Sequence, residues 1–144
     1  MTGTVALIAT YDTKGQEADF VKDAILARGA NCLTINVGVG SAPQGKPDIP
    51  LDELCGSCGI TAADLRALPR GEAVSNISAI LKGYLLQIYS ERKITCVAGI
   101  GGAGGTQIAT RAMRKLPFGV PKLMLRTLAS VSYTHLTLPT KRIV

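Results

Sequence analysis

The segment 99–106, Gly-Ile-Gly-Gly-Ala-Gly-Gly-Thr, is the part of the sequence best suited to binding a ligand. It stands between an apolar run and an amphipathic helical pattern, the context in which a glycine-rich turn holds phosphate. Glycine lets the backbone approach a ligand closely, and the first amides of the following helix favour an anion. The residues that we expect to hold phosphate are Gly101, Gly102, Ala103, Gly104, Gly105 and Thr106.

The turn matches neither of two common nucleotide motifs in full. Gly99, Gly101 and Gly104 satisfy G-x-G-x-x-G, but the turn follows the third predicted strand, and no Asp or Glu follows Glu91 to bind a ribose. The Gly-Lys-Ser/Thr of a Walker A loop is absent from the sequence. The structural alternative is a tight turn that needs glycine for packing, but five glycines in seven positions exceed that need.

A second group of polar residues, Asp12, Thr13 and Lys14, follows the first predicted strand. In a doubly wound sheet the loops after β1 and β3 flank one crevice, so we expect these residues to face the glycine turn. Lys14 can neutralise phosphate, and Asp12 can hold Mg²⁺ or a ribose hydroxyl. Alternatively, Asp12 and Thr13 cap the following helix and Lys14 is solvated.

The elements that must position these residues follow from hydrophobic periodicity. Apolar runs predict strands at 4–10, 31–37, 94–100 and 122–127, and a period of three to four predicts helices at 13–28, 72–92 and 106–115. Thr13 is the expected N-cap of the first helix, with Gln16 completing a capping box. A long connection, 38–69, has room for only short helices, such as one at 61–67. This order predicts a doubly wound, mainly parallel Rossmann-like α/β sheet, truncated after its fourth strand.

The composition argues against a membrane protein and against a nucleic-acid-binding protein. The hydrophobic fraction of 47% and mean hydropathy of +0.26 favour a globular core, and no apolar run approaches the roughly 20 residues of a membrane span. We therefore expect a cytoplasmic protein without membrane association.

Residues 1–91 carry ten acidic and seven basic side chains, whereas 92–144 carry nine basic and no acidic ones. That basic half has two aromatic residues, too few for base stacking, so we expect no nucleic-acid partner. The four cysteines and one histidine do not complete a metal site.

The last 14 residues, 131–144, fit neither a strand nor a helix pattern and read like translated adapter DNA. We interpret them as a non-native tail, and 1–130 as an incomplete nucleotide-binding domain. His135 lies in this tail, so no native histidine is expected to activate a nucleophile.

Several separate blocks of sequence carry a resemblance to a known family. These are Ala-Thr-Tyr-Asp-Thr-Lys-Gly at 9–15, Val-Gly-Val at 37–39, Arg-Gly-Glu-Ala at 70–73, the glycine turn at 99–106, and Ala-Met-Arg-Lys-Leu-Pro-Phe-Gly-Val-Pro-Lys at 112–122. Over about residues 4–130 the chain resembles the ATP-binding domain family of the tomato tobamovirus-resistance protein and its uncharacterised bacterial and fungal relatives. The resemblance implies the first domain of a longer, two-domain protein that binds ATP with Mg²⁺. A missing second domain, and a second copy of the chain, are the expected protein partners.

The leading hypothesis is an ATP-binding domain whose glycine turn holds the phosphates. The first alternative is a phosphoryl- or acyl-transfer enzyme whose catalytic groups lie on the missing domain. The second is an NAD-dependent oxidoreductase, disfavoured by the absent ribose-binding acid. The sequence leaves open whether the protein is an enzyme.

Overall fold

A computed structural model describes residues 3–40, 43–56 and 58–126. Its strands and helices follow one another as β1 (Thr4–Ala9), α1 (Tyr11–Ala27), β2 (Asn31–Asn36), α2 (Leu51–Gly56), α3 (Ala62–Arg66), α4 (Arg70–Ser90), β3 (Cys96–Gly101), α5 (Ala103–Met113) and β4 (Lys122–Arg126). The proposed tail at 131–144 lies outside the described residues.

The four strands form one parallel sheet in the order β2-β1-β3-β4. At the end of β1, Ala9 pairs with Asn36 on one side and with Ile100 on the other. The chain therefore leaves three neighbouring strands at nearly the same level of one sheet edge. The prediction of a doubly wound, parallel α/β fold is confirmed.

The two faces of the sheet are covered by different helices. Along β1, Ala6 and Ile8 join the larger core cluster with α2 to α5, whereas Leu7 and Ala9 face α1. This alternation follows from the two-residue period of a strand, and burial of both faces from Ala6 to Ala9 explains why β1 is apolar after Thr4. The sheet thus separates α1 from the other helices, while α1, α4 and α5 all begin at the same edge.

The first helix begins earlier than predicted, and Thr13 is not its N-cap. α1 starts at Tyr11, directly after β1, and the hydroxyl of Thr13 instead lies 3.4 Å from the carbonyl oxygen of Thr10. The helix can start there because Asn36, at the end of β2, accepts a 3.0 Å hydrogen bond from the Tyr11 amide. A cap supplied from 25 residues away leaves no local sequence pattern. The end of the helix follows expectation, with Gly29 at a φ of +89°.

The connection 38–69 contains more structure than predicted. The expected short helix is α3, capped by reciprocal hydrogen bonds between Thr61 and Asp64, but α2 was not predicted. Just before α2, Ile49 forms an isolated parallel bridge with Ile35, which extends the pairing of β2.

A polar network fixes this extension to β2. Asp48 Oδ2 accepts hydrogen bonds from the Thr34 amide at 2.9 Å and the Thr34 hydroxyl at 3.1 Å, and it forms a 3.2 Å ion pair with Lys22 of α1. Burial alone would raise the pKa of Asp48, but these hydrogen bonds outweigh it and hold the pKa below its ordinary value.

We expect Asp48→Asn to destabilise the protein by on the order of 1 kcal/mol at neutral pH, because the variant loses a charge-assisted hydrogen bond and an ion pair. A lowered folded-state pKa stabilises the fold above the ordinary carboxyl pKa, and this contribution disappears as the pH falls through the folded-state value. Urea unfolding from about pH 7 down to about pH 3 should therefore show the two proteins converging at low pH. A stability difference independent of pH would contradict this account.

Candidate functional site

A cleft of about 600 Å³ opens at the carboxyl ends of the strands. Its walls come from the loop after β1, the loop after β2, the α3–α4 corner and the glycine turn after β3. This is the edge where ligands bind in open α/β sheets, next to the point at which the chain leaves β1 and β3 towards opposite faces. Of the residues proposed from the sequence, Asp12, Thr13, Lys14, Gly102 and Gly105 line this cleft together.

The glycine turn is partly explained by packing. A Cβ at Gly101 would lie 2.8 Å from the backbone of Gly105, and one at Gly99 would lie 2.8 Å from the sulfur of Met124. A Cβ at Gly105 would lie 3.0 Å from Cγ2 of Thr10, the residue that follows β1, so the glycine turn passes close to the loop after β1. Three of the five glycines therefore serve the close approach of strand and helix.

Gly102 is different from these three glycines. It precedes α5, has a φ of −82°, and a Cβ at this position would meet no atom within 4 Å. Its missing side chain therefore leaves open space in the cleft rather than room for a neighbouring element. No side chain forms a capping hydrogen bond to the start of α5 at Gly102. The first amides of this 11-residue helix thus keep their capacity to bind an anion.

The remaining residues of the predicted turn belong to the start of α5. α5 begins at Ala103 rather than at Thr106, so Ala103, Gly104 and Gly105 form its first turn. The hydroxyl of Thr106 donates a 3.2 Å hydrogen bond to the Gly101 carbonyl oxygen, and its amide donates to Gly102. Thr106 therefore stabilises the turn from within α5.

Asp12 holds the loop after β2. Its Oδ2 accepts a 2.9 Å hydrogen bond from the Gly40 amide, while Oδ1 is buried without a hydrogen-bond partner among the described residues. A Cβ at Gly38 would collide with Oδ1, and one at Gly40 would lie 2.5 Å from Oδ2. The glycines at 38 and 40 thus make room for the Asp12 carboxylate, and helix capping by Asp12, the structural alternative, is not its observed contact.

Asn36 links the same two loops from below. Its buried Oδ1 accepts hydrogen bonds from the Tyr11 amide at 3.0 Å and from the Gly38 amide at 2.8 Å. Tyr11 itself is fully buried against the α1 face of the sheet, and this burial raises the pKa of its phenol to about 12. The loops after β1 and β2 are therefore held as one unit, which sequence analysis did not detect because Asn36 reads as an ordinary strand terminus.

Basic side chains dominate the charge of the cleft. Lys14, Arg66 and Arg70 line it, and Asp12 is the one acidic residue among its described lining residues. Arg66 donates a 2.9 Å hydrogen bond from Nε to the Val39 carbonyl oxygen, whereas Lys14 and Arg70 have no side-chain partner within the described ranges. Unpaired cations in a concave site attract an anionic ligand.

The arginines were not predicted as site residues. Arg70 belongs to the block 70–73 that carried the family resemblance, which is the one signal in the sequence that pointed to it. No pattern marked Arg66, because its place in the cleft depends on the packing of α3 against α4.

Part of the cleft wall is apolar. Aliphatic side chains from the loop after β2, from α3 and α4, and from α5 form this wall; they include Val39, Leu65, Leu68, Val74, Ile77 and Ile108. The cleft therefore combines polar and cationic lining residues with aliphatic ones, as sites for small molecules usually do.

The described residues contain no cluster of three or more Cys, His, Asp or Glu side chains that could hold a metal ion. Asp12 offers one carboxylate, of which Oδ2 is bonded to Gly40 and Oδ1 is buried. A single carboxylate suits a Mg²⁺ ion only if phosphate oxygens and water supply most of the other ligands. The arrangement excludes a site formed by these protein side chains alone.

The sheet order, the cleft at its carboxyl edge and the glycine-rich start of α5 define the class as a Rossmann-like α/β domain. The chain matches the N-terminal domain of the uncharacterised protein family UPF0261 over residues 3–142. It belongs to this family.

Bacterial and plant proteins are similar to the chain. A UPF0261 protein of Clostridium tetani is 35% identical over 131 residues, which cover 90% of this chain and 32% of that protein. A UPF0261 protein of Mesorhizobium japonicum is 39% identical over 127 residues, 88% of this chain and 31% of the relative. The ToMV resistance protein Tm-1(GCR237) of Solanum lycopersicum is 39% identical over 70 residues, 49% of this chain and 9% of that protein.

The chain thus spans about a third of the length of its bacterial relatives. The family match includes 131–142, and the interpretation of 131–144 as a non-native tail stays a prediction, as do the second domain and the cytoplasmic location. Within the described ranges, no helix is both long and apolar enough to cross a bilayer.

We expect Asn36→Ala to lower the free energy of unfolding by about 2 kcal/mol or more, because two buried amides lose their acceptor. The matched control is Asn76→Ala, which removes an exposed amide that bonds to Glu72 within α4 and should change stability by less than about 0.5 kcal/mol. Urea denaturation of both variants tests this expectation. Equal stabilities of the two variants would show that the Asn36 bridge contributes nothing.

Proposed function

We propose that the protein binds a nucleotide, ATP, in the cleft, with a phosphate group at the glycine turn. The observation that carries the proposal is Gly102, which borders the cleft with open space at its Cβ position and precedes a helix without a side-chain cap. An anion at this position accepts hydrogen bonds from the first amides of α5 and interacts favourably with its dipole.

The loop after β1 completes the phosphate site in this proposal. Lys14 lies where α1 departs from helical geometry, with φ −123° and ψ 20°, and its ammonium group has no protein partner among the described residues. Thr10, at the start of this loop, lies so close to the glycine turn that only glycine fits at position 105 without a shift of its side chain. Lys14 then supplies a mobile positive charge, and the α5 amides supply fixed donors.

The aliphatic wall is the proposed site of the adenine base. Leu68, which follows α3, and Val74 of α4 are half-buried aliphatic side chains that line the cleft. Burying one face of a purine against aliphatic side chains removes apolar area from water, at roughly 25 cal/mol per Å². A volume of about 600 Å³ is within the range of nucleotide-sized sites, roughly 300–1,000 Å³.

Mg²⁺ enters the proposal with the nucleotide. It would neutralise phosphate charge, with Asp12 as the nearby carboxylate. The existing bond from Asp12 to Gly40 means that direct coordination requires the loop after β2 to move, whereas a water-bridged contact does not. The geometry of the described residues supports binding and offers no nucleophile–base pair for a catalytic step.

We expect Gly102→Leu to weaken ATP binding by at least about tenfold, because the added side chain fills the space assigned to phosphate. Lys14→Met should weaken binding by a similar factor through the loss of one charge. Isothermal titration calorimetry with MgATP measures both effects, and NAD is titrated in parallel.

Gly83→Leu is the control, because Gly83 is an exposed glycine of α4, open at its Cβ position and outside the cleft. It should bind ATP as the unmodified protein does. Thermal unfolding of each variant confirms that the cleft is folded. Unchanged ATP affinity in folded Gly102→Leu protein, or NAD binding tighter than ATP binding, would refute the proposed site.

A further inference from the structure

We infer that Arg70, together with Arg66, binds an anionic group of the ligand separate from the phosphate at the glycine turn, so that the cleft selects nucleotides with several phosphates over monophosphates. The inference rests on the proposed function, since it concerns the same cleft. It assigns a specificity role to two residues on the wall formed by α3 and α4.

The distribution of charge in the cleft is the first observation. A single phosphate at the glycine turn is served by the α5 amides and Lys14. Arg66 and Arg70 add two further positive charges from a different wall, whereas Asp12 is the only acidic group among the described lining residues and is already bonded to the Gly40 amide. Two further cations are more than one phosphate group requires, and they suit a ligand that carries additional negative charge.

The position of Arg70 in its helix is the second observation. Arg70 is the first residue of α4, a helix of 21 residues whose start has no side-chain cap. A positive charge at the N-terminal end of a helix is disfavoured by the helix dipole. Arg70 also has no hydrogen bond or ion pair within the part of the chain that the structure describes. Its exposed guanidinium lines the cleft and keeps its donors available for an anionic group of a ligand.

Arg66 has a complementary role. Its Nε is bonded to the Val39 carbonyl oxygen, which fixes the guanidinium at the cleft while its terminal nitrogens keep their donor capacity. It lies in the last turn of α3, four residues before Arg70. One arginine is thus anchored and the other is unrestrained, and a phosphate bridged by both would draw the start of α4 towards the loop after β2.

The test compares ATP with AMP by calorimetry on the unmodified protein, Arg70→Met and the control Arg114→Met. Arg114 is an exposed arginine that follows α5 and does not line the cleft, so its removal changes the net charge equally. We expect Arg70→Met to lose about tenfold in affinity for ATP but less than about twofold for AMP. Arg114→Met should leave both affinities unchanged.

Thermal unfolding distinguishes ligand binding by Arg70 from a structural role, because the loss of a structural contact would lower the unfolding temperature. Arg70→Met should unfold at the same temperature as the unmodified protein or at a higher one, because a disfavoured charge is removed. An unchanged preference for ATP over AMP in Arg70→Met would overturn the inference and leave the proposed function standing. Failure of the unmodified protein to bind either nucleotide would overturn both.

Discussion

The position of β1 between β2 and β3 is the constraint on which the rest of the structure depends. Because all strands are parallel and Ala9 pairs with both Asn36 and Ile100, three chain segments emerge side by side at one edge. α1 passes to one face of the sheet, and the segments after β2 and β3 pass to the other. Their separation opens the cleft, and Asn36 and Asp12 then hold two of the emerging loops at fixed distances.

Close packing between neighbouring elements explains many of the glycines. The presence of glycine alone therefore does not indicate a functional site. Gly99 and Gly101 bring β3 and α5 together, and Gly38 accommodates a carboxylate. Gly102 is the position where such an explanation fails, because nothing fills the space that its missing side chain leaves. Gly102 and the cations that line the same cleft, rather than the number of glycines, therefore support ligand binding.

Local patterns predicted the strands, the two long helices and the meeting of the Asp12–Lys14 segment with the glycine turn, since these follow from hydrophobic period and parallel topology. Features that depend on contacts distant in sequence were missed. The cap of α1 comes from Asn36, α2 is fixed by the pairing of Ile49 with Ile35, and Arg66 reaches the cleft through helix packing. Periodicity does not encode such contacts.

In the function proposed here, the loop after β1 and the glycine turn form one nucleotide site. Hydrogen–deuterium exchange measured with and without MgATP tests it most directly, because it reports on the backbone amides assigned to the ligand. We expect ATP to slow exchange in peptides covering 10–15 and 101–106 together, and to leave the exposed end of α4 near Ser90 unchanged. Protection of neither segment, or of one without the other, would contradict it.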